Sequence, residues 1–291
     1  MELPLVVGVD GSESSLRAVD WAVDEAARHG LPLHLVHASL WERYERAQPS
    51  FATGRPAGEV MAQHIIASGV ERARLRNPEV KASGEVLPDD PVSVLLRAGT
   101  EAFALVSGSR GRGEIAGLLL GSVGLAVAAR AACPVIVVRG TEHNLRGAAG
   151  RVVLGVGDPG RGADAVRFAV REAEARGCAL TAVRAWRNPA QEPVDHMLIA
   201  DDAARLREER ASAGLDDALR EVVREHPRVE VHRQPAEGPA HRVLLEASAR
   251  ADLIVVGALR RGGHVGLQLG RTAHVLLHHS RCPVAVVPQP V

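Results

Sequence analysis

The sequence predicts an α/β protein built as two doubly wound units, each a five-stranded parallel sheet with helices on both faces. Short, almost wholly apolar runs alternate with amphipathic segments, as expected of strands buried on both faces between crossover helices. The pattern also occurs twice. Val106–Ser122 reads VSGSRGRGEIAGLLLGS and Val255–Thr272 reads VVGALRRGGHVGLQLGRT, each after an apolar run and each ahead of a Cys-Pro step into a last β-branched run. Gly108 to Cys133 spans 25 positions, and so does Gly257 to Cys282. A repeat of this length sets the organisation of the chain. At 291 residues each half has room for its own core.

In the first half, LPLVVGVD reads as a strand ending at Asp10, and Leu16, Val19, Val23 and Ala26 then fall at helical spacing. Ser12 or Ser14 can cap that helix and Gly30 can stop it. Leu31–Ala38 is the second strand. Ser39–Gly58 is polar and broken by Pro and Gly, a mobile loop on this reading. A helix is expected over Glu59–Arg76, a strand over Val80–Leu87 and a helix over Val92–Thr100. Phe103–Gly108 is the fourth strand, Ser122–Ala131 a helix and Pro134–Arg139 the fifth strand.

The second half repeats this order. Strands are expected at Arg151–Gly157, Cys178–Trp186, Arg228–Arg233, Ala251–Gly257 and Pro283–Pro288. The helices between them carry Val166, Ala169, Val170 and Ala173 before a stop at Gly177, then span Asp201–Glu225, Pro239–Arg250 and Thr272–His279. Residues 141–150 are polar and lack apolar periodicity, so the domains are expected at 1–140 and 151–291 with 141–150 as the linker. Asp201-Asp202 and Glu208-Glu209-Arg210 read as a polar helix face.

Composition excludes several classes of function. Charge is balanced, 35 basic against 35 acidic residues, and aromatics make up 2% of the chain. Neither a nucleic-acid partner nor an anionic membrane is called for. Lys81 is the only lysine, so no P-loop lysine follows either glycine loop. Cys133, Cys178 and Cys282 are isolated, which suits a reducing, cytoplasmic setting. The first apolar run, Leu3–Val9, is too short for a signal sequence, and no apolar stretch is long enough to span a membrane.

Doubly wound sheets bind ligands at the carboxyl ends of strands, where the strand order reverses. If the first and fourth strands flank that point, Asp10 and Gly108 border one crevice. The loop there runs Gly108-x2-Gly111-x9-Gly121-Ser122. Small residues let backbone N–H groups approach a ligand, and the helix opening at Ser122 adds unpaired N–H groups and a positive dipole end. This arrangement suits phosphates, with Ser122 as a further donor and Arg110 and Arg112 to screen charge. A tight turn and a helix cap would explain the same residues without a ligand. Asp10 can accept from a ribose hydroxyl, hold Mg²⁺ through water, or cap the following helix with Ser12.

VVGVDGS at Val6–Ser12, the Gly108–Ser122 loop and CPVIVV at Cys133–Val138 together resemble the universal stress protein family, across both halves. The resemblance implies Rossmann-like units with strand order 3-2-1-4-5. It implies ATP as ligand, since the spacing at Gly108, Gly111, Gly121 and Ser122 matches the family's nucleotide pattern. It further implies that Asp10 meets the ribose or Mg²⁺, that Val9 and Ala38 hold the adenine, and that Ser107, Arg110, Ser122 and Val123 line the rest. Such proteins pair through their last strands, and Pro134–Val138 and Pro283–Val287 are the matching runs, so pairing of the two domains within the chain, a homodimer and an unidentified protein partner are expected.

The second half departs from the pattern. Gly157 stands where the first half has Asp10, Arg260 replaces Gly111 and Arg271 replaces Ser122. This half is expected to be degenerate for ATP, open instead to some divergent anion or to a scaffold role. His274 and His278 lie at helical spacing beside His279 and read as solvated or interface residues. His34 and His37 cannot both face one site, though His37 can border the crevice. No nucleophile–base pair is readable, so the expected role is regulatory binding of ATP, with nucleotide ordering the Ser39–Gly58 loop. The alternatives are a dimerising scaffold without nucleotide and a weak adenine-nucleotide hydrolase.

Overall fold

The computed structural model describes residues 3–40, 57–111, 120–158, 160, 162–187, 197–259 and 269–289, without the side chains of 197–202 and 259. The chain divides into two compact units, Met1–Arg139 and Gly140–Val291.

The N-terminal unit runs β1 (Leu5–Gly8), α1 (Glu13–His29), β2 (Leu33–Ala38), α2 (Ala57–Arg76), β3 (Ala82–Leu87), α3 (Pro91–Ala98), β4 (Ala104–Gly108), α4 (Ser122–Arg130) and β5 (Val135–Val138). Its strands are all parallel, in the order β3-β2-β1-β4-β5. Sequence order therefore reverses between β1 and β4, which pair with Val7 beside Val106. Their carboxyl ends, Gly8 and Gly108, open at the same edge, as the doubly wound expectation requires.

The C-terminal unit runs α5 (Glu142–Leu145), β6 (Arg151–Gly155), α6 (Ala163–Arg176), β7 (Ala179–Trp186), α7 (Met197–Glu225), β8 (Val231–Glu237), α8 (Ala240–Ala247), β9 (Leu253–Leu259), α9 (Arg271–His279) and β10 (Val284–Gln289). The order β8-β7-β6-β9-β10, again all parallel, repeats the first unit.

The central strands are apolar because both their faces are covered. Leu5, Val6 and Val7 of β1 and Ala104, Leu105 and Val106 of β4 are buried, as are Val152, Val153 and Leu154 of β6. The edge strands β3 and β8 are largely exposed and carry Glu85, Arg233 and Glu237, charges that discourage pairing with another chain. β8 corrects an expectation. It spans Val231–Glu237 rather than Arg228–Arg233, running through Pro235. On an edge strand the missing proline N–H can face away from the ladder, so the strand continues.

α1 begins where Ser12 Oγ accepts from Ser15 N at 3.2 Å and ends at Gly30, whose φ of 66° suits glycine. It buries Val19, Val23 and Ala26, whereas Leu16 is only half-buried. α2 starts at Ala57, so Ala57 and Gly58 belong to a helix instead of the expected loop, whose residues 41–56 lie outside the described residues. α7 starts four residues before the expected Asp201, and α8 gives way at Ala247 to a 3₁₀ turn, Ser248–Arg250. Of the expected polar face, Glu208, Glu209 and Arg210 are exposed, while the side chains of Asp201 and Asp202 lie outside the described residues.

Residues 141–150 include α5, one helical turn capped by Thr141. Asn144 is buried and donates through Nδ2 to Ala251 O at 2.7 Å, and Asp252 accepts from Ala149 N and Arg151 N. These bonds fasten the segment to the C-terminal unit. Among the described residues, no helix is long and apolar enough to cross a membrane.

Candidate functional site

The chain leaves β1 through Val9–Ser12 and turns into α1. Val9 N donates to Val36 O at 2.9 Å, and Val9 O accepts from His37 Nδ1 at 2.7 Å, which ties the ends of β1 and β2 together. His34, by contrast, turns to β3, where its ring nitrogens meet Ser83 and Glu85. Asp10 Oδ1 accepts from Ser12 N at 3.0 Å, and Asp10 N donates to Ser15 Oγ at 3.4 Å. Asp10 thus helps to shape the turn into α1 while its carboxylate also lines the crevice.

β4 delivers its glycine loop against this turn. A Cβ on Gly108 would lie 2.6 Å from Ser14 Oγ and 2.7 Å from the Ser14 carbonyl, so the first turn of α1 excludes any side chain there. Ser14 Oγ accepts from Arg110 N at 3.2 Å, an anchoring role, while Ser12 does the capping. A Cβ on Gly111 would lie 2.7 Å from Asp10 Oδ2. The loop closes where Gly121 N donates to Ser109 O at 2.9 Å. Its middle, residues 112–119 with Arg112, lies outside the described residues.

One cavity of about 560 Å³ opens between these segments. Of the residues singled out from the sequence, ten line it: Val9, Asp10, Ala38, Ser107, Gly108, Arg110, Gly111, Gly121, Ser122 and Val123. His37 lines it too. Sequence reasoning missed an apolar wall of Val36, Pro91, Val94 and Leu95, and also Ser15, Leu120 and Gly124. The wall gave no signal, because apolar residues on a strand and a helix read as core.

The polar end of the cavity is built to meet an acceptor. α1 and α3 are capped by Ser12 and Asp90, but Gly121 caps α4 with no side chain. Helix geometry leaves the N–H groups of Ser122, Val123 and Gly124 without an intrahelical acceptor, and the dipole adds positive potential. The exposed Arg110 guanidinium stands on the rim, and Asp10 is the one acidic side chain among the described lining residues. Ser107 Oγ is buried with no hydrogen-bond partner among the described residues. A buried hydroxyl left unpaired costs free energy, which an acceptor on a ligand would offset.

The C-terminal unit has its own cavity, of about 700 Å³, over β6, β9 and β10. Gly157, Asp158, Arg271, Thr272 and Gln289 line it. Arg271 is the first residue of α9, exposed, behind the glycine cap Gly270. Arg260 lies outside the described residues. On the same helix the His274 and His278 rings stack with centroids 4.6 Å apart, and His279 tilts against His278.

Comparison with known proteins gives a consistent result. A family model described as the universal stress protein family matches residues 3–139 and 149–288. Universal stress protein Rv2005c of Mycobacterium tuberculosis is 33% identical over 295 residues, covering 98% of this chain and 97% of that protein. A crystal structure of a universal stress protein from Archaeoglobus fulgidus shares the fold over 99% of both chains, with a TM-score of 0.67 and 19% identity. Another structure of an Archaeoglobus fulgidus universal stress protein, in complex with dAMP, is 24% identical and covers 47% of this chain and 97% of its own, with a TM-score of 0.36.

Proposed function

The chain belongs to the universal stress protein family, and from that premise we propose that it is an ATP-binding regulatory protein with the nucleotide held over the glycine loop of its N-terminal unit. The observation that carries this reading is the gathering of Asp10, Ser107, Gly108, Gly111, Gly121 and Ser122 around one cavity, with an unpaired hydroxyl and an uncapped helix end at its polar side. A volume of about 560 Å³ suits a ligand of nucleotide size.

In this reading the base enters the apolar end, against Val36 and Leu95, with the backbone of Val9 and Ala38 at its edge. The phosphates lie along Gly108–Gly111 and the start of α4, where backbone N–H groups and the dipole favour negative charge. Ser122 Oγ and Ser107 Oγ donate, and Arg110 neutralises charge from the rim. Asp10 serves the ribose hydroxyls or the water shell of Mg²⁺. One carboxylate beside a phosphate chain fits Mg²⁺, which keeps several waters and leans on substrate phosphates. Bound Mg²⁺ would neutralise phosphate charge. Asp10 is already oriented by Ser12 N, so little freedom is lost on engaging it. The reading is one of regulation. Nucleotide would change the surface offered to a partner protein. Cytoplasmic residence, which the isolated cysteines suit, and association with a second copy, which the family resemblance implies, belong to the same reading.

The test is nucleotide carried through purification. Perchloric acid extracts, read at 260 nm and by ion-exchange chromatography, should contain adenine nucleotide for the wild type and little for Gly121→Val. A Cβ at Gly121 meets nothing closer than 3.9 Å, so the variant keeps the fold while filling the phosphate cradle. Equally low nucleotide in both proteins would sink the proposal.

A further inference from the structure

The two cavities place their polar groups differently. In the first, Val36, His37 and Ala38 bring the end of β2 into the lining. Their counterparts in the second unit, Val183, Arg184 and Ala185, are not among the described lining residues, and Arg184 instead packs its guanidinium over Gly214 of α7. The second cavity lies one strand further along, over β6, β9 and β10. Ser107 is matched by Val256, so that hydroxyl is gone, while Gly140 is matched by Gln289, which brings a new amide.

Gln289 is 3% exposed and folds across Gly257, its Cγ 3.2 Å from where a Cβ on that glycine would sit. Its Nε2 donates to Val287 O at 3.1 Å. That bond fixes which end of the amide is nitrogen. Its Oε1 is then a buried acceptor, and it has no partner among the described residues. Such an atom in a cavity wall calls for an N–H or O–H donor from a ligand. Asp158 offers a second acceptor in the same lining. The lining also holds a cation. Arg271 stands at the uncapped start of α9. Desolvation, followed by the charges of Arg271, Arg187 and Arg242, pulls His241 at the start of α8 below the usual imidazole value.

We propose that the C-terminal unit carries a separate site for a small phosphorylated polyol or sugar, with the phosphate at Arg271 and the start of α9 and the hydroxyls donated to Gln289 Oε1 and Asp158. The end of β7, which would have to receive a purine, takes no part. Loss of the Asp10 carboxylate and gain of Arg271 therefore mark a change of ligand. The inference stands on the second cavity alone and holds whether or not the first unit takes ATP.

The probe is glycerol 3-phosphate, added to the isotope-labelled full chain and followed by amide resonances. Millimolar probe should shift Gly257, Thr272 and the Gln289 side-chain amide, and ethyl phosphate, which has the anion without the polyol, should bind about tenfold more weakly. AMP should leave these resonances in place. Gln289→Leu and Arg271→Ser should each weaken the probe about tenfold at an unchanged unfolding temperature. Arg271 is exposed, so its variant carries the test even if Gln289→Leu disturbs the fold. Absence of shifts in the C-terminal unit, displacement of the probe by AMP, or equal binding by Arg271→Ser would overturn the proposal.

Discussion

Ser107 and Gly111 make the demands of the N-terminal site concrete. Ser107 Oγ is buried without a partner among the described residues, so it costs stability in the free protein, and on the proposed reading a ligand that accepts from it would offset that cost. Ser107→Ala should therefore leave unfolding free energy unchanged or raise it by up to about 1 kcal/mol, while weakening ATP about tenfold. Urea unfolding and calorimetric titration measure the two effects, and unchanged affinity would remove Ser107 from the site. Gly111 was legible because glycine in a loop announces a close approach, and the partner in that approach is the Asp10 carboxylate. Cysteine chemistry yields a pH prediction. Burial pushes the Cys178 thiol above its usual 9.0, because desolvation penalises the thiolate. The thiolate is the reactive form, so alkylation of Cys178 should lag behind a free thiol at pH 8.5 and its rate should still be climbing above pH 9. A rate that levels off below pH 9 would contradict the partial burial of this side chain.

Among elements, α1 does most to hold the site in place. Its N-terminus supplies Ser12 as cap, Ser14 as anchor for Arg110 N and Ser15 as acceptor for Asp10 N. Ser12→Ala should cost about 1 kcal/mol through the lost cap. The urea midpoint should fall with the slope unchanged, and a wild-type midpoint would show that the cap is dispensable. α1 is also braced from outside. Arg72 and Arg76 of α2 grip Asp20 and Asp24 in bidentate pairs of 2.6–2.7 Å, and these hydrogen bonds hold both guanidinium groups above their ordinary pKa. The pairs are partly exposed, so each adds at most about 1 kcal/mol and serves mainly to set the register of the two helices. Most elements were readable from apolar periodicity and from Gly30 and Gly177 as stops. The extent of β8 was not, because a proline is tolerated or forbidden according to whether its strand lies at an edge, and position in the sheet is a tertiary fact.

For the whole molecule, the asymmetry between the units is the property to measure. Ligand that binds only the native state stabilises it by mass action, by about 2.7 kcal/mol at a hundredfold excess over the dissociation constant. With ATP and Mg²⁺ at that excess, hydrogen exchange should slow at Gly108–Gly111 and Ser122–Gly124, while Gly257 and Thr272–Ala273 exchange as before. Equal slowing in both units would mean that the substitutions at Gly157 and Arg271 do not discriminate against ATP.

Taken alone, the amino-acid order determined that there are two α/β units, which runs become strands and helices, and which loop carries the glycines. Each of these follows from local periodicity, propensity and repetition. Only the tertiary structure decided that α3 supplies an apolar wall to the first cavity, that Gly111 lies against Asp10, and that Gln289 lines the second cavity with an oxygen unmatched among the described residues. Those relations join residues far apart in the chain, and they exist only once parallel strands have set which ends lie side by side.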